Sequence, residues 1–131
     1  MAEQNIVKSY ITGEAITEFA LVKLHTDGTV FLAGTSDGVN VIGVAQRAAA
    51  SGDIVDVVVH GLTRAIVGSA GIDLTSAVAL PVQVTSNGSI EANSGSGEYG
   101  IGYLIPSKQN LALTSGEQVE IIFNGPKTPL P

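Results

Sequence analysis

The sequence predicts an all-β fold, a small barrel or sandwich built from two pseudo-repeated β units. Three observations carry this expectation. Short runs rich in Val, Ile and Leu alternate with turn residues along most of the chain, the pattern of strands rather than helices. Asp27-Gly28 and Asn87-Gly88 each lie between two apolar runs, a strong hairpin signal because these residue types tolerate positive φ. The chain also repeats itself. ALVKL-HTDG-TVFLA, NVIGVA and ASGDIVDVVVHG are answered by LPVQV-TSNG-SIEAN, YGIGYL and TSGEQVEIIFNG. Gly28 answers Gly88, Gly43 answers Gly102, Gly52 answers Gly116 and Gly61 answers Gly125. Two copies are too few for a solenoid. They suit two halves of one domain, each covering the other's apolar face.

Taken in order, residues 1–13 read as an extended N-terminal arm. Within it Ile6, Lys8 and Tyr10 share one face and Val7, Ser9 and Ile11 the other, a weak strand alternation. Such a segment serves either as a first strand of the domain or as a strand lent to another protein's sheet edge. The first β unit spans residues 20–61. It opens with a hairpin around Asp27-Gly28, turns again at Asp37-Gly38 and continues through residues 40–45. The Ala-rich residues 47–51 could form one helical turn, too short to stand alone. In the strand at 53–60, alternation directs Val55, Val57 and Val59 inward and Asp56, Val58 and His60 outward. A separate strand is expected at 62–67. The second unit spans residues 80–125, with NSGSG at 93–97 as a flexible loop and Val119, Ile121 and Phe123 facing inward. Residues 126–131 form a Pro-rich tail, which cannot be a central strand because Pro lacks the ladder N–H.

Val58 and Ile122 occupy equivalent positions on the nominally wet face. Single exposed aliphatics are ordinary, but both copies carry one here, so the two are candidate subunit contacts.

At 131 residues the chain is one domain, large enough for a single core. Hydrophobic residues make up 44% and charged residues 14%, which excludes disorder. There is no cysteine, which removes disulfides and thiolate chemistry. The opening MAEQNIVKSYITGE has neither a basic nor an apolar leader region, so no secretory signal is expected in it. No apolar run reaches the length of a membrane helix, about 20 residues. The net charge is −6, and the six basic residues, Lys8, Lys23, Arg47, Arg64, Lys108 and Lys127, are scattered. Neither nucleic acid nor an acidic membrane surface is therefore an expected partner.

No motif for chemistry emerges, and the chain is expected not to be an enzyme. Asp53 and Asp56, like Glu117 and Glu120, straddle the start of a strand and point to opposite faces. They read as solvated charge rather than as an acid/base or calcium pair. His25 and His60 are the only histidines, and no nucleophile elbow accompanies them. The glycines at 38, 43, 100 and 102 belong to no phosphate loop. No catalytic, metal or cofactor site is expected.

The succession GEAIT-x-x-x-LVKL, DG-x-V and VIGVA-x-x-AAASGD-x-VDVVVHG, closed by G-E-x-V-E-I-I-F, resembles the small head decoration, or capsid cement, proteins of tailed phages. The resemblance covers nearly the whole chain. Its most specific stretch is residues 41–61, and residues 99–104 depart from it with a Tyr where Val-Ala is usual. It implies a structural virion protein made in the host cytoplasm and placed on the outer surface of the head. There it would bind the major capsid protein as a homotrimer and hold the lattice against packaged DNA. From the patterning of this chain, Asn5, Ile6, Val7, Lys8 and Tyr10 are the candidate capsid contact, and Val58 and Ile122 the subunit contact. The alternative is a non-enzymatic β-sandwich module for a ligand or carbohydrate, displayed on a phage or cell surface.

Overall fold

The computed structural model describes residues 5–73, 81–92, 100–105 and 112–125. The expected NSGSG loop and Pro-rich tail lie outside them. Among the described residues eleven strands are formed. They are β1 (Ile6–Ile11), β2 (Leu21–Leu24), β3 (Val30–Leu32), β4 (Val41–Ala45), β5 (Ile54–Ile66), β6 (Ile72–Asp73), β7 (Pro81–Val84), β8 (Ile90–Ala92), β9 (Gly102–Ile105), β10 (Ala112–Leu113) and β11 (Gln118–Phe123). Short 3-10 segments at Thr35–Asn40 and Ser86–Gly88 are the helical elements among the described residues.

Nine strands form one sheet in the order β3-β2-β4-β5-β11-β9-β7-β8, with β1 also pairing β5. The order is a palindrome in terms of the repeat: β3-β2-β4-β5 on one wing answers β8-β7-β9-β11 on the other. The all-β expectation and the duplicated plan are therefore both present.

The repeat reaches further back than residues 20 and 80. Thr12 donates its N–H to Asp53 O (2.8 Å), and Gly52 donates to Thr12 O (2.9 Å). In the second wing Val67 donates to Glu117 O (2.9 Å), and Gly116 to Val67 O (2.8 Å). Parallel bridges Thr12↔Val30 and Val67↔Ile90 complete the equivalence. Thus β1, paired along the first half of β5, corresponds to the second half of β5, paired along β11. The segment read as an arm is the first strand of the first unit. Residues 53–60 and 62–67, read as two strands, form one 13-residue strand through Gly61, with Ile54 as its first residue and Ile66 as its last.

Two glycine pairs show how closely the copies agree. Gly52 and Gly116 take φ of +90° and +91°, left-handed values that disfavour any side chain with a Cβ. Gly43 and Gly102 are required for a different reason. A Cβ on Gly43 would overlap the carbonyl oxygen of Val58, and one on Gly102 that of Ile122. Both glycines let neighbouring strands approach, as Gly in a strand interior commonly does. The hairpins differ in detail. Asn87 and Gly88 both have positive φ (57° and 73°), whereas only Gly28 does in the first hairpin.

The cores explain how the wings stack. One cluster, Val22, Val30, Ala45, Val55, Val57 and Ile16, lies on the inner face of the first wing. Leu21 and Val44 point the other way and belong to a larger cluster with Val82, Ile90, Leu104, Ile121 and Phe123 of the second wing. The inner face of the second wing thus lies on the outer face of the first. The Ser86–Gly88 turn is seated there too, with Gly88 N donating to Ala33 O (2.7 Å).

This stacking corrects the reading of Val58. It pairs with Val44 on the covered outer face and is 1% exposed. A bulge follows it: Ile6 pairs His60 while Val7 pairs Val58, so Val59 is an extra residue on β5 and is only half-buried. Residues 47–51 form no helical turn. Ala49 bridges Ile16 instead. Val119 is half-buried, while Ile121 and Phe123 are buried as expected.

Candidate functional site

The titratable groups first considered for chemistry lie in structural roles. Asp27 sits in the first hairpin turn. Its Oδ1 accepts from Thr29 Oγ1 (2.6 Å), Thr29 N (3.0 Å) and the His25 ring (3.2 Å). The Thr29 hydroxyl, then the Thr29 N–H, then His25 hold the carboxyl down at about 2. His25 also lies against Phe31, ring centroids 5.2 Å apart. Asp56 accepts from Ser9 Oγ (2.8 Å) across the β1–β5 ladder. Glu117 accepts from the N–H and hydroxyl of Thr114, which closes the turn before β11. His60 is exposed at the β1–β5 bulge. Lys23 and Asp37 pair at 2.9 Å, and the lysine, followed by the Gly34 N–H, lowers the Asp37 carboxyl. Among the described residues, no three His, Asp or Glu side chains gather as metal ligands. Among the same residues, no helix is long and apolar enough to cross a membrane.

What the surface does present is apolar. The first patch is the β1 edge. β1 pairs with β5 and, among the described residues, with no other strand. Ile6, Val7 and Ile11 on it, and Ile54 opposite Ile11, are each at least half exposed. Of the five candidate contact residues here, Ile6, Val7 and Lys8 face solvent. Asn5 is also exposed, but its side chain is committed, accepting from Leu62 N (3.0 Å) and donating to Leu62 O (2.7 Å). Tyr10 is half-buried against the smaller core. A strand with a free edge and exposed aliphatics is a template for pairing with another chain.

The second patch is on the outer face of the second wing. Leu62 pairs with Ile122, Ile122 with Tyr103, and Tyr103 with Pro81. Directly paired residues share a face, so these four form one row across β5, β11, β9 and β7. Ile122 is 41% and Tyr103 48% exposed. The structure therefore separates the two candidate subunit contacts: Ile122 is open to solvent and Val58 is covered. Sequence reasoning missed Tyr103 and Pro81 as neighbours of Ile122. Their signal was the repeat itself, which equates them with Val44 and Leu21.

A third feature is a cleft at the junction of the wings, about 310 Å³ in volume. Its polar lining is Thr17, Ser69, Ser86, Asn87, Ser89 and Ser115. Hydroxyl and amide groups of this kind can hydrogen-bond a polar ligand, but no charged or aromatic side chain lines it.

No family model matches the chain, and no curated protein does. Among solved structures it is similar to the N base of head fiber gp8.5 in bacteriophage phi29. That similarity has a TM-score of 0.68 at 14% identity and covers 98% of this chain and 99% of the other.

Proposed function

We propose that this chain is a structural, non-enzymatic protein of a tailed-phage virion that binds the outer surface of the head. There it holds neighbouring major capsid subunits together against the pressure of packaged DNA. The observation that carries the reading is the end-to-end likeness of fold to a phage head fiber base. The sequence-level resemblance to head decoration proteins supports it independently. The surface chemistry is consistent with adhesion: two apolar patches on a stiff β scaffold. In this reading the protein acts as a homotrimer, and the exposed part of β1, Ile6, Val7 and Lys8, contacts the capsid by strand pairing. Many identical copies on a lattice let modest contacts add up.

Co-sedimentation with expanded and unexpanded heads of the source phage tests this. The full chain should bind expanded heads saturably. Ile6→Lys with Val7→Lys, which spares the Asn5 anchor and the β1 ladder, should abolish binding. Retained binding would discard β1 as the contact. No binding of the full chain to either head form would sink the decoration role.

A second reading is a displayed module for a ligand or carbohydrate, and the hydroxyl-lined cleft between the wings favours it. A reproducible glycan hit that Asn87→Ala removes would support that reading over the first.

A further inference from the structure

The duplicated plan gives the cleft at the junction of the wings a counterpart in the first unit, and the two are finished differently. Gly13 and Gly68 are equivalent. Each donates its N–H to the returning hairpin strand, to Val30 O (2.9 Å) and to Ile90 O (2.8 Å). In the first unit the space beside this glycine is filled. A Cβ on Gly13 would overlap the ring of Phe31, and the His25 ring lies against Phe31. The polar groups there are also spent. Glu14 accepts from Leu32 N (2.8 Å), and Asp27 accepts from Thr29 and His25. In the second unit Glu91 stands where the first has Phe31, Thr85 where it has His25, Ser69 where it has Glu14 and Asn87 where it has Asp27. Glu91 is engaged by Gln83 Nε2 (2.6 Å) and does not line the cleft. Where the first unit is plugged by aromatic rings, the second keeps an open space of about 310 Å³.

We propose that this cleft binds a neutral saccharide, one or two sugar units long. Its volume is at the small end of ligand pockets, roughly 300–1,000 Å³. Ser69, Ser86, Asn87 and Ser115 are exposed in it. Among the described residues their side chains carry no hydrogen bond. Hydroxyl and amide groups both donate and accept, which matches the hydroxyls of a sugar. No charged side chain lines the cleft, and the chain carries a net charge of −6, so an anionic ligand is disfavoured. The frame is fixed before any ligand arrives. Thr85 N donates to Ser89 O (2.7 Å), Gly88 N to Ala33 O (2.7 Å) and Gly116 N to Val67 O (2.8 Å), so binding orders little that is not already ordered. With no aromatic platform in the lining, a single site is weak, and many copies on one particle would supply avidity. The proposal rests on the second reading above, to which it adds a ligand class and a place. It does not depend on how the protein meets the head.

Amide NMR of the full chain, titrated with glucose, galactose and N-acetylglucosamine, tests it, with glucuronate as the anionic counterpart. At least one neutral sugar should shift the amides of Gly68, Ser69, Asn87 and Gly116 saturably, and glucuronate should bind more weakly. Ser69→Glu with Asn87→Asp restores the residues of the first unit and should weaken binding about tenfold or more, the worth of one or two hydrogen bonds. Glu91→Phe restores the plug and should do the same. If the amide spectrum shows that one of these variants is not folded, the other decides. Ile54→Ala, 56% exposed elsewhere, should bind as wild type does. Folded variants that bind like wild type overturn the proposal, and tighter binding of glucuronate overturns the neutral class. Saturable shifts confined to another surface overturn this site and leave the ligand-module reading standing. Amides unmoved by all three neutral sugars overturn the site and that reading together, whatever the head-binding result.

Discussion

Replacing Gly43 or Gly102 by alanine should destabilise the fold far more than one methyl group suggests. The added Cβ would meet backbone carbonyl oxygen, of Val58 and of Ile122 respectively. A carbonyl in a ladder cannot swing aside like the end of a side chain. Relief requires β4 to part from β5, or β9 from β11, at the Val44–Val58 and Gly102–Phe123 pairings. Overpacking of this kind costs about 1–3 kcal/mol, and each ladder bond weakened adds about 1 kcal/mol. A loss of about 3 kcal/mol or more per substitution follows. For a chain of this size that corresponds to a fall in Tm of roughly 10 °C. Gly52→Ala and Gly116→Ala are the controls. Their Cβ atoms would meet nothing within 4 Å, so only the left-handed φ is penalised, by about 1–2 kcal/mol. Urea and thermal unfolding of the four variants would rank them. The close-approach reasoning is refuted if Gly43→Ala and Gly102→Ala unfold within about 0.5 kcal/mol of wild type, or prove milder than the two controls.

Three further outcomes are expected. Phe123→Ala, at a residue 1% exposed in the larger core, should cost about 3–5 kcal/mol in denaturant unfolding, while Ile54→Ala, 56% exposed, should stay within about 0.5 kcal/mol. Asn5→Ala removes both hydrogen bonds to the Leu62 backbone; hydrogen exchange at the Leu62 amide should accelerate, with a stability loss of about 1 kcal/mol. Asp27 should titrate near about 2 in carboxyl-detected NMR, and Thr29→Val should move it upward toward the ordinary 3.8. Because the folded value lies below the ordinary one, the turn's contribution is present above about 3.8 and is lost as pH falls through about 2. An Asp27 titration unmoved in Thr29→Val would assign the depression to some other partner.

The legible parts of this protein are those whose cause is local. Short apolar runs beside turn residues marked β2, β4 and β7, and alternation marked β11, because side chains along a strand change faces at every residue. Asp27-Gly28 and Asn87-Gly88 marked hairpins, because the turn chemistry resides in the turn residues. The glycine correspondences marked a duplicated plan, and the structure returns them as matched φ at Gly52 and Gly116 and matched close approaches at Gly43 and Gly102. The absence of a helical turn at residues 47–51 was less legible, since Ala49 is held by its bridge to Ile16, distant in sequence.

By itself the sequence determined that strands form, where most of them turn and that one plan is used twice. Only the tertiary structure decided which faces are dry. Val58 and Ile122 occupy the same position in the same plan, yet one is 1% and the other 41% exposed. Nothing in their own strands distinguishes them. The difference arises because the second unit's inner face lies on the first unit's outer face, and a chain with two units has no third to cover the second. The same holds for residues 6–11. Their composition allows a free arm or a strand, and the backbone groups of β5 settle it by taking β1 into the sheet.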